Sequence, residues 1–133
     1  MGSSSAVSGA AARSGSIDYR LRREAVLAEL KSGRRATHDV CDAHPDLRRA
    51  AINGVGVTTK VDCPVCDDDK LHHVTYVFGP RLPSSGRCIS GGARELADLS
   101  RRSGDFTCFV VEVCPSCSWH HLVRSHPLAT STV

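Results

Sequence analysis

Four of the seven cysteines stand in two matching C-x-x-C segments with the spacing of a metal site. The segments read C-P-V-C at residues 63–66 and C-P-S-C at residues 114–117. Two intervening residues let both sulfurs of a tight turn face one ion, and proline presets a dihedral of that turn. Thiolates are soft, charged ligands, and Zn2+ takes four of them tetrahedrally. We therefore predict one structural zinc ion bound by Cys63, Cys66, Cys114 and Cys117.

The alternative for each C-x-x-C pair is a redox dithiol. A thioredoxin-type motif opens a helix after a strand, whereas strands are expected after both pairs here. Four protein ligands leave no open position for water, which argues against zinc catalysis. The sequence contains no G-x-S-x-G, no H-E-x-x-H and no phosphate-loop spacing. We therefore expect no enzyme and predict no catalytic residue.

The other three cysteines have different settings. Cys108 lies in an apolar run and is expected to be a buried small hydrophobic residue. Cys88 falls in a predicted loop. Cys41 has His38 and His44 three residues away on either side, which could hold a second metal but lacks a nearby fourth ligand. The alternative for Cys41 is a partly buried helix cysteine, and a thiol redox sensor is a third functional hypothesis.

The zinc ligands need elements to position them, and the chain divides into a helical part and a strand-rich part. Asp18 can cap a helix to about Ser32, followed by a short helix at 38–43 and a third from Pro45 to about Asn53. Strands are predicted at about 58–62, 71–78, 106–113 and 119–124, with a helix at 93–102. The 47 residues between the two cysteine pairs must hold a strand, a loop, that helix and a strand.

These elements predict an α+β fold with short N-terminal helices packed on a four-cysteine zinc-ribbon antiparallel sheet that carries an inserted helix. We expect a disordered tail at 1–16, a helical segment at 17–57, the zinc ribbon with its inserted helix at 58–128 and a tail at 129–133. The helical segment is compatible with a helix-turn-helix or with a helical cap on the ribbon.

Arginines concentrate in the helical segment. Guanidinium groups neutralise phosphates, so such a surface could bind nucleic acid, although the common alternative is a solvated helix face. Arg48 and Arg49 would contact nucleic acid if a helix-turn-helix formed. The candidate nucleic-acid-binding residues are Arg20, Arg22, Arg23, Arg34, Arg35, Arg48 and Arg49.

Length and composition limit the class of protein. The 133 residues suffice for one ordinary domain, and the formal net charge of +3 alone decides little. No apolar stretch approaches the roughly 18 residues that span a bilayer. The first residues lack the apolar core of a secretory signal, and two C-x-x-C pairs suit a reducing compartment. We expect a cytoplasmic protein without membrane contact.

Several strings resemble a known family of small actinobacterial proteins, which is a domain of unknown function. They are V-T-Y-V-F-G at 74–79, V-E-V-C at 111–114, W-H-H-L-V-R-S at 119–125 and V-C-D-A-H-P-D-L at 40–47. The resemblance covers about residues 18–128 and implies zinc-binding cysteines at the four C-x-x-C positions. The family pattern often has Asn where this chain has His120. The resemblance supplies no function.

Three functions remain open at the level of sequence. The first is a non-enzymatic zinc-ribbon protein that binds the transcription or translation machinery, or nucleic acid through the basic N-terminal helix. The second is a protein–protein adaptor with purely structural zinc and no nucleic-acid contact, which the mildly acidic ribbon half favours. The third is the thiol redox sensor. Within the ribbon we also expect Trp119 to shield the sulfurs and Arg124 to pair with Glu112 across the hairpin.

Overall fold

The computed structural model describes residues 15–128. The predicted tails at 1–16 and 129–133 lie outside this range, apart from residues 15 and 16. In chain order the elements are β1 Ile17–Asp18, α1 Arg20–Lys31, a 3-10 turn Thr37–Asp39, α2 Pro45–Ile52, β2 Val57–Asp62, β3 Lys70–Phe78, β4 Arg87–Cys88, α3 Gly92–Ser100, β5 Thr107–Val113 and β6 His120–Pro127. This arrangement confirms the predicted α+β class with helices on an antiparallel sheet.

The sheet has six strands, and all their pairings are antiparallel. Its strand order is β1-β6-β5-β3-β2, and the short β4 also pairs with β3. The long strands β3 and β5 pair from His72 opposite Val113 to Phe78 opposite Thr107. Both of these strands carry alternating or continuous apolar residues, which a half-buried or central strand requires. The first cysteine pair joins β2 to β3, and the second joins β5 to β6.

Each helix covers a different part of the sheet. Apolar residues of α1 pack at the cysteine end of one face, beside Leu71, and α3 packs with Val77 at the far end of that face. Because successive strand residues face opposite sides, Val74 lies on the other face, where Leu47 and Ala51 of α2 cover it. Thus α1 and α2 lie on opposite faces and do not form a helix-turn-helix, whose two helices must pack on each other.

Local signals set most element ends. Pro45 occupies the first turn of α2, as predicted, and the His44 side chain accepts a hydrogen bond from the Asp46 amide. Asp18 does accept from the Arg20 amide over 2.7 Å, but the helix starts two residues later than Asp18. The reason is that Ile17 and Asp18 pair with Ser125 and Arg124 as a short strand.

The helix expected at 38–43 is only a 3-10 turn. Its backbone bends after Asp39, and the next residues run along the second cysteine turn, where the Ala43 amide bonds to the carbonyl of Ser118. The proline at 45 also disfavours a helical residue directly before it. No helix among residues 15–128 is long and apolar enough to cross a membrane.

Candidate metal centre

The four predicted ligand sulfurs converge at one end of the sheet. All of them lie within 4.8 Å of one another. The Sγ atoms of Cys63 and Cys117 are 3.7 Å apart, and those of Cys66 and Cys114 are 3.6 Å apart. Tetrahedral thiolates at about 2.3 Å from a zinc ion stand about 3.8 Å from one another. The four-cysteine group therefore has the donor set and the spacing to hold a metal ion.

The two cysteine turns have the same backbone geometry, which we call knuckles. In each knuckle the residue after the second cysteine has a left-handed backbone, with φ of 58° at Asp67 and 69° at Ser118. The amide of that residue bonds to the carbonyl of the first cysteine over 3.1 Å and 2.9 Å respectively. Each sulfur also accepts a hydrogen bond from the backbone amide two residues further on. These donors are Val65, Asp68, Ser116 and Trp119.

The sulfurs differ in exposure and acidity. Cys63 and Cys114 are buried, and Cys66 and Cys117 are half-buried. Burial raises the pKa of Cys114 to about 11 and that of Cys117 still further, against the backbone hydrogen bonds that lower them. At Cys66 burial also acts upward, but hydrogen bonds from the Asp68 amide and neighbouring thiols bring its pKa below the ordinary value. Without a cation, the second knuckle holds thiols rather than thiolates, and a metal must displace those protons.

The segment between α1 and α2, together with Arg48 of α2, contacts the second knuckle and the start of β6. The Arg48 Nε donates to the carbonyl of Pro115 over 2.7 Å, and the Nε2 of His120 lies 2.8 Å from Asp42 Oδ1. Between them, the Sγ of Cys41 lies 3.7 Å from the Sγ of Cys117. Cys41 does not belong to the set in which every sulfur lies within 4.8 Å of every other. It is a neighbour of the candidate metal centre and not a fifth ligand.

Apolar residues close the site from the side of α1. Trp119, at the end of the second knuckle, is completely buried and packs with Cys63, Cys114 and Val40. The α1 residues Val26, Leu27 and Leu30 pack against this cluster. The expectation that Trp119 shields the sulfurs is confirmed. The N-terminal helix and the metal site therefore share one core.

A charged layer lies directly beneath α1. Glu112 is 5% exposed, and its Oε2 accepts from the Nε of Arg23 over 2.6 Å and from the Nε1 of Trp119 over 2.8 Å. A buried carboxylate requires such partners, because an unpaired one costs several kcal/mol. The predicted pair between Arg124 and Glu112 is wrong. Arg124 stands opposite Val110, and Glu112 stands opposite His121.

Sequence comparison gives the family of the chain. Residues 11–133 match a family of unknown function, DUF5318. The chain belongs to the DUF5318 family. This confirms the resemblance to a small actinobacterial family, because the similar proteins are mycobacterial. The uncharacterized proteins Rv0049 of Mycobacterium tuberculosis and Mb0050 of Mycobacterium bovis are each 45% identical over 118 residues, which is 86% of this chain and 82% of the relative. No solved structure matches the chain.

Most of the candidate nucleic-acid-binding arginines of this DUF5318 chain have partners within the molecule. Arg23 bonds to Glu112, and Arg48 bonds to the second knuckle. Within residues 15–128, only the side chains of Arg20 and Arg22 in the candidate set have no hydrogen bond or ion pair. The remaining partners are Ser32 for Arg34, Glu29 for Arg35 and Asp46 for Arg49.

A groove of about 940 Å³ opens on the sheet face that carries α1. Apolar side chains line part of it, among them Ile17 and Val61, which are 50% and 54% exposed. Its polar lining includes Arg20, Arg124 and His73. Burial lowers the pKa of His73, and Arg124 and Arg23 add to this against the opposing charge of Glu112. Burial therefore favours the neutral form of the His73 imidazole, and Arg20 and Arg124 supply the groove with cationic charge that is unpaired within residues 15–128.

The other cysteines and histidines form no second metal site among the described residues. Cys108 is buried, as predicted, whereas Cys88 lies in the short strand β4 and is half-buried. His38 and His44 are largely exposed and contact nearby aspartates, not Cys41. His72 and His73 on β3 are separated by β5 from His120 and His121 on β6, so these four histidines do not form one cluster.

Sequence reasoning missed two features of this DUF5318 site. The contact between Cys41 and Cys117 joins residues 76 positions apart, and a fifth cysteine near predicted helices was the only signal for it. The bond between Arg23 and Glu112 spans 89 positions. The sequence feature that could have indicated this bond is Glu112, an acidic residue in the mostly apolar strand Thr107–Val113, because a buried carboxylate needs a cationic or hydrogen-bonding partner.

Proposed function

We propose that this chain is a non-enzymatic protein-binding module of the gene-expression machinery, stabilised by one structural zinc ion. Cys63, Cys66, Cys114 and Cys117 would hold the ion. Bound zinc would contribute cross-linking of the two knuckles and no reaction, since four protein thiolates fill its coordination sphere. Zinc ribbons are frequent in that machinery, which is an analogy of fold. Two C-x-x-C pairs suit the reducing cytoplasm, where we place the protein.

The groove beside α1 is the observation that carries this proposal. Its lining holds three arginines against two carboxylates, and one arginine, Arg23, is neutralised by Glu112. The guanidinium groups of Arg20 and Arg124 have no acidic partner within residues 15–128. Exposed apolar side chains next to free cationic groups fit an extended acidic segment that also carries apolar residues. We therefore propose such a segment of a protein partner as the occupant.

Site-specific cross-linking tests this proposal. A photoreactive residue at Val61, 54% exposed on the groove wall, is compared with one at Ile52, 60% exposed at the end of α2. After irradiation in the native host and nuclease treatment, polymerase or ribosomal subunits should be attached at position 61 only. The Arg124→Glu variant should lose this product, and Arg94→Glu, on α3, should retain it. Products that form equally at both positions, or in neither, contradict the proposal.

Nucleic-acid binding is the second candidate, and the two unpartnered arginines at the start of α1 favour it. Arg22 is exposed and does not line the groove, so it separates the two hypotheses. If phosphates are contacted, affinity for RNA or DNA should fall steeply with salt, and Arg22→Ala should reduce the salt slope by about one. Arg23→Ala is unsuitable for this test because it leaves Glu112 buried without its cation.

A further inference from the structure

Cys41 is the one cysteine outside the ligand set that touches a ligand sulfur among the described residues. Its Sγ lies 3.7 Å from the Sγ of Cys117. This distance equals that between the ligand sulfurs of Cys63 and Cys117. A thiol outside the ligand set at this distance can form a disulfide with the ligand sulfur when one of the two sulfurs is oxidised, and the metal then loses that ligand.

The position of Cys41 is fixed by its backbone neighbours. Its amide donates to the carbonyl of Thr37 over 2.9 Å, Asp42 contacts His120 at the start of β6, and the Ala43 amide donates to the carbonyl of Ser118 in the second knuckle. The preceding residue, Val40, is 8% exposed and packs in the same cluster as Cys63 and Cys114. Contacts on both sides of Cys41 therefore hold its thiol against Cys117.

Solvent access distinguishes Cys117 from its partner in the knuckle. Cys114 is 0% exposed, whereas Cys117 and Cys41 are both half-buried. Oxidation of cysteine sulfurs follows thiolate character and exposure. A small oxidant therefore reaches Cys117 more readily than Cys114. Cys63 lies equally close to Cys117 but belongs to the ligand set, so Cys41 supplies the neighbouring thiol that holds no metal.

We propose that Cys41 and Cys117 form a modification site, at which oxidation by a peroxide joins the two residues in a disulfide and releases the zinc ion. The inference rests on the zinc occupancy proposed above. It gives the N-terminal segment a chemical role, because that segment supplies the thiol that removes a ligand from the metal.

The reaction balances with hydrogen peroxide as the oxidant. The Cys117 thiolate attacks one peroxide oxygen, the O–O bond breaks, hydroxide leaves, and Cys117 becomes a sulfenic acid. The Cys41 thiol then attacks the Cys117 sulfur, so that an S–S bond forms and the S–O bond breaks. The hydroxyl group leaves with the Cys41 proton as water. The two sulfurs lose two electrons, which reduce the peroxide to hydroxide and water.

Loss of Cys117 as a ligand leaves three thiolates in the site. Closed structural zinc sites depend on all four ligands, so the ion should dissociate. The remaining thiolates then take up protons from water. The disulfide would keep residue 41 attached to the second knuckle after the metal has left, so the N-terminal segment would stay linked to the sheet end.

Peroxide treatment of the purified, zinc-loaded full chain tests the inference. Zinc content is first measured by elemental analysis, and a chain without zinc contradicts the proposed structural metal rather than the thiol chemistry. Released zinc is then followed with a chromogenic chelator, and disulfides are mapped by mass spectrometry of unreduced peptides. We expect a Cys41–Cys117 disulfide that appears together with the released zinc.

Variants separate a chemical role of Cys41 from a structural one. Cys41→Ser and Cys41→Ala should each bind one zinc ion. Under peroxide they should release it at least about tenfold more slowly than the wild type, because the neighbouring thiol that reacts with the oxidised Cys117 sulfur is gone. Cys88→Ser is the matched control, since Cys88 is also half-buried but lies on β4 beside Tyr76. It should release zinc at the wild-type rate.

Disulfide mapping in the unaltered chain decides the question even if a variant fails to fold. A disulfide confined to Cys114 and Cys117, or to Cys63 and Cys66, would overturn the inference. Zinc release from Cys41→Ser at the wild-type rate would also overturn it.

Discussion

The indole Nε1 of Trp119 donates a hydrogen bond to the Oε2 of Glu112 over 2.8 Å, and both side chains are buried. The same oxygen accepts from the Nε of Arg23 in α1. One carboxylate thus joins the end of the second knuckle to the helix that covers the four-cysteine group. This connection explains why a strand that is otherwise apolar carries an acidic residue.

Replacing this carboxylate should weaken the whole fold. Glu112→Gln should lower the free energy of unfolding by about 2 kcal/mol, since a hydrogen bond to a charged group contributes about 1.5–3 kcal/mol and Arg23 loses its buried partner. Urea unfolding followed by the fluorescence of the single tryptophan measures this. Glu24→Gln removes the other, exposed acidic partner of Arg23 and should change stability by less than about 1 kcal/mol. Equal losses of stability in Glu112→Gln and Glu24→Gln would contradict the stabilising role of the buried Glu112 carboxylate.

Zinc removal should unfold the helices as well as the ribbon. The apolar residues of α1 pack on Cys63, Cys114 and Trp119, so the metal site and the N-terminal helix share one core. We expect one zinc per chain and a loss of helical circular dichroism when a strong chelator removes it. Cys114→Ser should have the same effect, whereas Cys88→Ser should leave both the metal content and the spectrum unchanged. An unchanged spectrum after complete zinc removal would disprove the structural role of the ion.

Lowering the pH should remove the contribution of the Glu95 carboxylate, at the start of α3, to the stability of the fold. Glu95 accepts from the amides of Ser90 and Gly91 and from the Arg87 guanidinium. Burial acts to raise its pKa, but these hydrogen bonds and the arginine charge lower it overall. Since the folded pKa lies below the ordinary value of 4.5, the stabilisation is present above that pH and is lost as pH falls through the folded pKa.

The comparison variant for this prediction is Glu95→Gln. At pH 7 it should cost about 1–2 kcal/mol in urea unfolding, and the difference from the wild type should shrink as the pH is lowered within the range in which both proteins retain zinc. Elemental analysis at each pH checks that both proteins still hold zinc, so that their difference isolates Glu95. Asp98→Asn removes an exposed pair with Arg101 and should have little effect at either pH. A difference that persists at low pH would contradict the lowered pKa.

A methyl group at Gly56 should be poorly tolerated. Gly56 has φ of +88°, and a Cβ there would lie 2.2 Å from the carbonyl oxygen of His73 in the neighbouring strand. Gly33 has a similar φ of +80° but no atom within 4 Å of such a Cβ. Gly33→Ala should therefore cost about 1–2 kcal/mol from backbone strain alone, and Gly56→Ala clearly more. Thermal unfolding of the two variants checks this, and equal losses would show that β2 can shift away from β3.

Local patterns predicted the elements that depend on neighbouring residues. The α3 helix, expected at 93–102, occupies Gly92–Ser100, and β3, expected at 71–78, occupies Lys70–Phe78. The cysteine spacing predicted the four converging sulfurs because two knuckles of the same geometry suffice to build the site.

Features that depend on distant pairing were not predictable in the same way. Amphipathic patterns show that α1 and α2 each have an apolar side, but they do not state which sheet face each one covers. That choice rules out the helix-turn-helix. Ile17 and Asp18 form a strand only because Ser125 and Arg124 pair with them, and no local propensity marks two residues as a strand.

The pairing of β1 with β6 has a consequence for the order of folding during synthesis. The strand that opens the described chain forms its hydrogen bonds with the strand that closes it. The four-cysteine group also lacks two of its four sulfurs until the second knuckle has been translated. Contacts between such distant positions make folding slow, because a long loop must close first. A nascent chain that ends before residue 114 can therefore neither assemble the four-cysteine group nor complete the sheet. We expect this fold to form in one late step, after the strand His120–Pro127 has been made.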